Sequence, residues 1–126
     1  MRGTLKQEIL SVIEDSTDGT GITVRYEIDD VVTTPAKERF FCNALREGIA
    51  NGIRHGGATA FWVELKQVGE RARLLVSDNG HGIDMQALKK GFGLSAMSEN
   101  AERFGGMVHV SSEVQDGFEL VAELPI

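Results

Sequence analysis

The stretch REGIANGIRHGGA, residues 46–58, combines features that rarely occur together in one helix. Apolar residues recur at every fourth position through and before it, which predicts a helix with one buried face. These apolar residues are Phe41, Leu45, Ile49 and Ile53. Gly48 and Gly52 nevertheless lie inside the helix, where each glycine costs roughly 1 kcal/mol relative to alanine. The two glycines predict that another part of the backbone, or a ligand, approaches this helix closely.

A set of polar residues follows the same helix on another side. Glu47, Asn51 and Arg54 fall on one narrow strip at about 100° per residue, and His55 lies at its edge. A carboxylate and a carboxamide one turn apart suit Mg²⁺, which prefers oxygen ligands and keeps several waters. The alternative is an ordinary solvated helix face. The neighbouring glycines favour the ligand-binding interpretation.

Composition limits the class of protein. The chain has 126 residues, 41% hydrophobic and 25% charged, which is typical of one globular domain spanning residues 1–126. A net charge of −6 argues against nucleic acid as the main partner, so an anionic ligand would need backbone amides or a metal. The one cysteine, Cys42, is expected to be a small buried residue. No apolar run reaches the length of a membrane span.

Capping signals and hydrophobic periodicity predict an α+β sandwich, in which a mixed sheet carries helices on one face. Helices are predicted over residues 5–13, 35–55 and 93–104, with a turn-rich break over residues 16–21. Strands are predicted over residues 22–28, 60–68, 71–77, 107–112 and 118–124. The first of these strands alternates and should bury one face.

The sequence DNGHGI, residues 78–83, directly follows a predicted strand. An acidic residue at a strand end, followed by two glycines, makes a loop whose backbone can approach a flat ligand. Asp78 could accept a hydrogen bond from an exocyclic amine. Gly80 and Gly82 would leave the ring face open, and Ile83 would form an apolar wall. The alternative is a hairpin turn at the Asn-Gly pair, although the following residues do not alternate like a returning strand.

The sequence GFGL, residues 91–94, opens the next predicted helix. Free amides and a positive dipole end at a helix N-terminus suit phosphate. With Ala96 and Glu113 the same stretch formally matches the dinucleotide-binding fingerprint. That fingerprint requires a buried strand before its first glycine, whereas residues 85–90 are polar and favour a helix. The dinucleotide interpretation is therefore rejected.

Taken in order, the three motifs resemble the N, G1 and G2 boxes of the GHKL ATP-binding superfamily, which includes gyrase, heat-shock chaperone ATPases, mismatch-repair ATPases and histidine kinases. REGIANGIRHGGA, the short interval between the second and third motifs, GFGLSAMSENAERFGG and the terminal AELPI are most similar to the catalytic domain of a two-component sensor histidine kinase. The similarity is to the short-lid subfamily that pairs with helix-turn-helix response regulators. It covers about residues 20–126 and implies a two-layer sandwich with a mixed, mostly antiparallel sheet and about three helices on one face.

The resemblance implies a role for each matching position. Asn51 would hold Mg²⁺, Glu47 would be the catalytic residue that orients water or the acceptor, and Asp78 would bind the adenine amino group. The other positions would contact the nucleotide, with Arg54 and His55 near phosphate, Gly80, Gly82 and Ile83 around the base, and Gly91, Gly93 and Leu94 as lid hinge and phosphate cradle.

The implied function is that of a protein histidine kinase, which transfers the γ-phosphoryl of Mg-ATP to a histidine on a separate dimerisation domain. The implied partners are ATP or ADP, that histidine-containing domain, which this chain lacks, and indirectly a response regulator. No nucleic acid or direct membrane contact is implied. The implied location is the cytoplasm, with membrane anchoring of the parent protein left open.

Two alternatives remain from the sequence. One is a serine kinase of the anti-sigma-factor type on the same fold. The other is a non-catalytic nucleotide-binding interaction module. Phe118 raises the second alternative, because the family usually has a threonine near the adenine at this position.

Overall fold

The computed structural model describes residues 4–82, 94–113 and 117–126. These residues form three helices and five strands, and the α+β prediction is confirmed. In chain order the elements are α1 (Leu5–Thr17), β1 (Thr23–Ile28), α2 (Pro35–Gly56), β2 (Ala60–Val68), β3 (Arg71–Asp78), α3 (Leu94–Arg103), β4 (Met107–Glu113) and β5 (Gly117–Pro125).

The five strands form one mixed sheet in the order β1-β2-β3-β5-β4. The β1–β2 pair is parallel, and the other three pairs are antiparallel. The predicted mixed, mostly antiparallel sheet is therefore confirmed. Strand β3 lies at the centre of the sheet and pairs with β2 on one side and with β5 on the other.

One face of the sheet and the inner side of α2 form the hydrophobic core. Alternate residues of the three central strands are buried beneath the helices, which follows from the two-residue period of a strand. These residues are Phe61, Val63, Leu65, Ala72, Leu74, Val76, Phe118, Leu120, Ala122 and Leu124. From α2, Phe41, Leu45 and Ile49 are fully buried, whereas Ile53 is half-buried. Each fully buried Leu, Ile or Phe side chain stabilises the fold by about 1.5–3 kcal/mol.

Helix α2 begins as the sequence predicts. Thr34 is the N-cap, and its side chain accepts a hydrogen bond from the backbone N–H of Lys37 at 3.3 Å. Pro35 occupies the first helical position, where no intrahelical N–H bond is lost.

Two local predictions are wrong. Helix α1 continues to Thr17 instead of ending at Ile13, and the Thr17 hydroxyl donates to the Ile13 carbonyl at 2.7 Å. The turn-rich break therefore starts two residues later than the predicted Ser16. The predicted buried face of β1 is incomplete because Tyr26 is 50% exposed, as expected for a strand at the edge of the sheet.

Candidate functional site

A carboxylate ends the central strand on its buried face. The buried residues of β3 alternate as Ala72, Leu74 and Val76, and Asp78 continues that alternation opposite Phe61. The same periodicity that builds the core therefore carries a carboxylate into the layer between sheet and helix. Asp78 is only 9% exposed there. A charged group in such a place is costly unless something binds it.

The two oxygens of Asp78 have different surroundings. Oδ1 accepts hydrogen bonds from the backbone N–H groups of Gly80, at 2.8 Å, and Phe118, at 3.2 Å. Oδ2 is buried and has no hydrogen-bond partner among the described residues. Burial raises the pKa of Asp78, while the two backbone hydrogen bonds and the nearby His81 act in the opposite direction. One oxygen is thus held in place, and the other is left able to accept a hydrogen bond from a ligand.

The two glycines of α2 make close contact with β3 possible. A Cβ on Gly48 would lie 3.1 Å from Val76, and one on Gly52 would lie 2.5 Å from Asp78 Oδ2 and 2.7 Å from the Phe61 ring. The helix is therefore closely approached at both glycines, but by side chains of β3 and β2 and not by the backbone or ligand that the sequence predicts. Gly52 lies beside the Asp78 carboxylate, whereas Gly48 lies on an apolar side chain.

Asn51 is buried next to this contact. It is 1% exposed, and its Nδ2 has no hydrogen-bond partner in the part of the chain that the structure describes. The solvated-face alternative is therefore wrong for Asn51. Two buried polar groups with an unpartnered atom, Asn51 and Asp78, thus flank Gly52, one before it in α2 and one across from it in β3.

The other residues of the polar strip have different environments. Glu47 is half-buried and borders a cavity of about 530 Å³ between α2 and α3, which Phe40, Met97 and Asn100 also line. Neither Asn51 nor Asp78 lines that cavity. Arg54 and His55 are exposed in the last turn of α2. Asn51 and Asp78 therefore both adjoin Gly52, whereas Glu47 borders the cavity between α2 and α3.

The loop after Asp78 is tied to the end of α2. Gly80 is buried against the carbonyl of Gly56, where a Cβ would collide with it, and His81 N–H donates to the same carbonyl at 2.9 Å. The Asn79 side-chain oxygen accepts from the backbone N–H groups of Thr59 and Ala60, each at 3.0 Å. Gly80 thus serves close backbone packing. The hairpin alternative for this loop is wrong, because β2 and β5 already occupy both edges of β3.

Part of the predicted site lies outside the described residues. Ile83, Gly91 and Gly93 fall there, as do residues 84–90 between the second and third motifs. Leu94, the last residue of the third motif, begins α3 and is half-buried.

One contact was missed by the sequence interpretation. The sequence singles out Phe118 only because it lacks a threonine hydroxyl, yet its backbone N–H donates a hydrogen bond to Asp78 Oδ1, and its side chain is 2% exposed in the core. A motif of side chains cannot identify which backbone N–H will act as a hydrogen-bond donor. The available signal was the strand pattern, since pairing β5 with β3 sets Phe118 beside the end of β3.

The described residues show no second candidate site, whether a metal cluster or a reactive thiol. The described residues contain no group of three or more His, Cys, Asp or Glu side chains able to hold a metal ion. Cys42 is buried, and that burial raises its pKa to about 11, as expected for an unreactive core thiol. Among residues 4–82, 94–113 and 117–126, no helix is both long and apolar enough to cross a membrane.

Comparison with known proteins defines the family. Residues 36–126 match the model for histidine kinase-, DNA gyrase B- and HSP90-like ATPases. The chain belongs to this ATPase family, as an ATP-binding catalytic domain of the kind found in sensor histidine kinases.

Two similar sequences are those of sensor histidine kinases. The sensor histidine kinase LnrJ of Bacillus subtilis is 29% identical over 125 residues, which is 98% of this chain and 31% of LnrJ. The sensor histidine kinase LiaS of the same organism is 28% identical over 97% of this chain and 34% of its own length. The chain therefore spans about a third of the length of these relatives.

Similar structures support the same fold. The catalytic domain of the histidine kinase ThkA superposes with a TM-score of 0.76 at 18% identity, covering 98% of this chain and 92% of that one. The ATP-binding domain of PrrB from Mycobacterium tuberculosis gives a TM-score of 0.74 at 21% identity, covering 98% and 94%. At these identities the likeness concerns the fold alone.

Proposed function

We propose that this chain binds Mg-ATP at the contact between α2 and β3 and transfers its γ-phosphoryl to a histidine on a separate helical dimerisation domain. A response regulator would be the next acceptor. The observation that carries the proposal is the buried Asp78 Oδ2, which has no partner among the described residues although Oδ1 has two. An unsatisfied buried acceptor costs about 1–3 kcal/mol, and a ligand that donates to it recovers that cost.

Asp78 would recognise the adenine base. An ionised carboxylate is only an acceptor, so Oδ2 suits the exocyclic amine of adenine and opposes the carbonyl oxygen of guanine. The hydrogen bonds from Gly80 and Phe118 keep the carboxylate in one orientation before the ligand arrives. Preorganisation of this kind reduces the entropy cost of binding.

Asn51 fits a nucleotide-bound Mg²⁺. Its side chain is buried beside Gly52, and it carries an amide oxygen of the type that hard cations prefer. Mg²⁺ keeps several waters and needs few protein ligands, so the lack of a carboxylate cluster among the described residues is no obstacle. Once bound, the ion would neutralise negative charge on the phosphates.

Glu47 would act beyond the phosphates. It lies one helical turn before Asn51 and borders the cavity between α2 and α3, which leaves its carboxylate open to a group entering from that side. We assign it the orientation of the acceptor. Phosphoryl transfer depends mainly on such positioning and on charge stabilisation.

The three histidines of the chain are unsuited to be the acceptor. His109 lies on the sheet face opposite the helices, paired with Val121. The His81 ring packs beside Gly57, where Cε1 would be 2.9 Å from an added Cβ. His55 belongs to the last turn of α2. All three are fixed parts of the domain, whereas transfer requires an in-line approach at roughly 3 Å.

Nucleotide titration and phosphate labelling test this function. We expect calorimetry to show binding of ADP and ATP that strengthens with Mg²⁺. With labelled ATP, the isolated chain should bind nucleotide without accumulating acid-labile label on its own histidines. A histidine-bearing helical domain, added in cis or in trans, should then acquire that label.

Other outcomes would redirect the proposal. Absence of ADP and ATP binding would remove the ATP site altogether. Acid-stable label on a serine of a partner would support the serine-kinase alternative. Nucleotide binding without transfer to any acceptor would support the non-catalytic module.

A further inference from the structure

We propose that the cavity between α2 and α3 receives the helix that carries the acceptor histidine, and that Arg39 and Arg46 select a helix with acidic side chains. The inference rests on the proposed function and names the partner chemistry of the same site. It concerns two residues of α2 that the proposed nucleotide site does not use. Their role would be to position the acceptor beside Glu47.

The cavity combines buried apolar side chains with exposed polar ones. Phe40 and Met97 line it and are only 6% and 7% exposed, and the Phe104 ring packs edge-on against Phe40 with centroids 6.2 Å apart. Asn43 and Asn100 line it as well and are exposed. A volume of about 530 Å³ holds several side chains but not a whole helix. The cavity therefore suits an amphipathic helix that lies across the opening and inserts apolar side chains.

Two arginines make the rim of this cavity positive. Arg39 and Arg46 both line it and are exposed, and Arg46 donates to the Asn43 side-chain oxygen at 3.0 Å. Among the described residues that line the cavity, Glu47 alone is acidic. The chain as a whole carries a net charge of −6, so most of its surface repels an acidic partner, whereas this rim attracts one. Charge complementarity therefore favours an acidic helix.

The spacing of the arginines defines where the acidic side chains of the partner should lie. Arg39 and Arg46 are separated by about two turns, or roughly 10 Å along α2. A partner helix lying along the groove would meet them with carboxylates at about the same separation. Glu47 directly follows Arg46 and lies one turn before Asn51, so the carboxylate that meets Arg46 would lie close to the acceptor histidine. Arg39 would hold the helix farther from the nucleotide and set its direction.

The same arginines also border a second groove, between α1 and α2, in which Glu8 and Asp15 lie. A purely intramolecular role would be to balance these two carboxylates. The two roles predict different results. Only docking makes the arginines determine how much acceptor is needed for phosphoryl transfer, whereas the intramolecular role concerns the stability of the domain.

The test measures phosphoryl transfer from Mg-ATP at increasing concentrations of the acceptor domain that the labelling experiment identifies. Arg39→Ala/Arg46→Ala should raise the acceptor concentration at half-maximal rate by about ten-fold, the effect of losing two partly exposed charge pairs. The affinity for ADP, measured by calorimetry, should stay at the native value. Added salt should narrow the gap between the two proteins, because only the native chain has these pairs to be screened.

The open face of the sheet provides a matched control. Arg25→Ala/Arg73→Ala removes two exposed arginines from the face opposite the helices and changes the net charge by the same amount. This variant should keep the native dependence on acceptor concentration. An equal rise in both double variants would assign the effect to net charge alone and overturn the inference.

Charge reversal identifies the contact. Arg46→Glu should weaken transfer further than alanine does, and a lysine in place of a carboxylate within about two turns of the acceptor histidine should restore it. Unchanged acceptor dependence in Arg39→Ala/Arg46→Ala, or failure of every such lysine to restore transfer, would overturn the inference and place the acceptor at another surface. Absence of transfer from the native chain to any histidine-bearing domain would instead overturn the proposed function.

Discussion

The contact between α2 and the sheet has two ends of opposite character. Around Gly48 the helix lies on Val76, and the neighbouring side chains Leu45 and Ile49 are buried among apolar residues. Around Gly52 the same helix lies on a carboxylate, beside an asparagine whose amide nitrogen has no hydrogen-bond partner among the described residues. The first end stabilises the fold, whereas the second lowers stability because it buries polar atoms that the described residues leave unsatisfied. The difference teaches where to look for function in a core that otherwise obeys the packing rules.

Phe118 should show the largest effect on stability, because its ring is buried in the core, although its backbone lies beside Asp78. We expect Phe118→Ala to lower the free energy of unfolding by about 3–5 kcal/mol, measured by urea denaturation. Phe118→Leu should cost less and allow binding to be measured. Its ADP affinity should stay within about two-fold of the native value, because the hydrogen bond to Asp78 comes from the backbone N–H, which the substitution keeps. A large loss of affinity in Phe118→Leu would instead assign the ring to the base pocket.

Asp78→Asn should have opposite effects on ligand binding and on stability at the carboxylate end of the contact. Asparagine replaces one acceptor oxygen with a donor that faces the adenine amine unfavourably. We expect ADP affinity to fall by about 1.5–3 kcal/mol in calorimetry, while the melting temperature of the nucleotide-free protein rises because no charge is buried. Asp30→Asn, at an exposed carboxylate, should change neither quantity. Unchanged ADP affinity in Asp78→Asn would remove Asp78 from the adenine site.

Asn51→Ala and Glu47→Ala should affect different steps, the first nucleotide binding and the second phosphoryl transfer. Loss of Asn51 should weaken nucleotide binding by roughly 1–2 kcal/mol in Mg²⁺ and much less without it. Loss of Glu47 should spare binding and reduce transfer to an added acceptor. If both variants bound and transferred like the native chain, the polar strip of α2 would have no ligand role.

The smallest expected effect is a dependence of stability on pH. Burial raises the pKa of Asp78 above its ordinary value of 3.8, so the folded state binds the proton more tightly than the unfolded state does. Its favourable contribution is therefore present below the ordinary pKa and is lost as the pH rises through the raised pKa. Urea denaturation between the ordinary carboxyl pKa and neutrality should show the stability gap between Asp78→Asn and the native chain widening with pH. A constant gap would contradict the raised pKa.

Much of the fold could be predicted because its signals are local. The four-residue spacing of Phe41, Leu45 and Ile49 predicts α2, Thr34 and Pro35 predict its start, and alternation predicts the strands. Asp78 could be singled out from its place between a strand and a glycine loop. The functional roles of these residues remain predictions.

What could not be predicted depends on pairing over long distances in the chain. The sequence around Gly52 does not predict that Asp78 is its neighbour. The sequence around Phe118 does not predict that its N–H donates a hydrogen bond to Asp78 Oδ1. Both contacts follow from the position of β3 between β2 and β5, beneath α2. Burial of Asn51 was likewise hidden, because one turn of helix with a polar strip looks the same whether it faces water or an interior.

The hydrogen bond between Asp78 and Phe118 joins residues 40 positions apart, and the ladder contact between Ser77 and Glu119 sets its geometry. Connections within this interval can thus be lengthened, provided that Gly80, which also binds Oδ1, and the buried Met97 and Ala101 of α3 are kept. Lengthening a connection costs only about 0.6 kcal/mol per doubling of its length, so evolution or an engineer could insert new segments there without shifting the carboxylate. A descendant of this domain could in this way acquire new acceptors or new control while reading the same base.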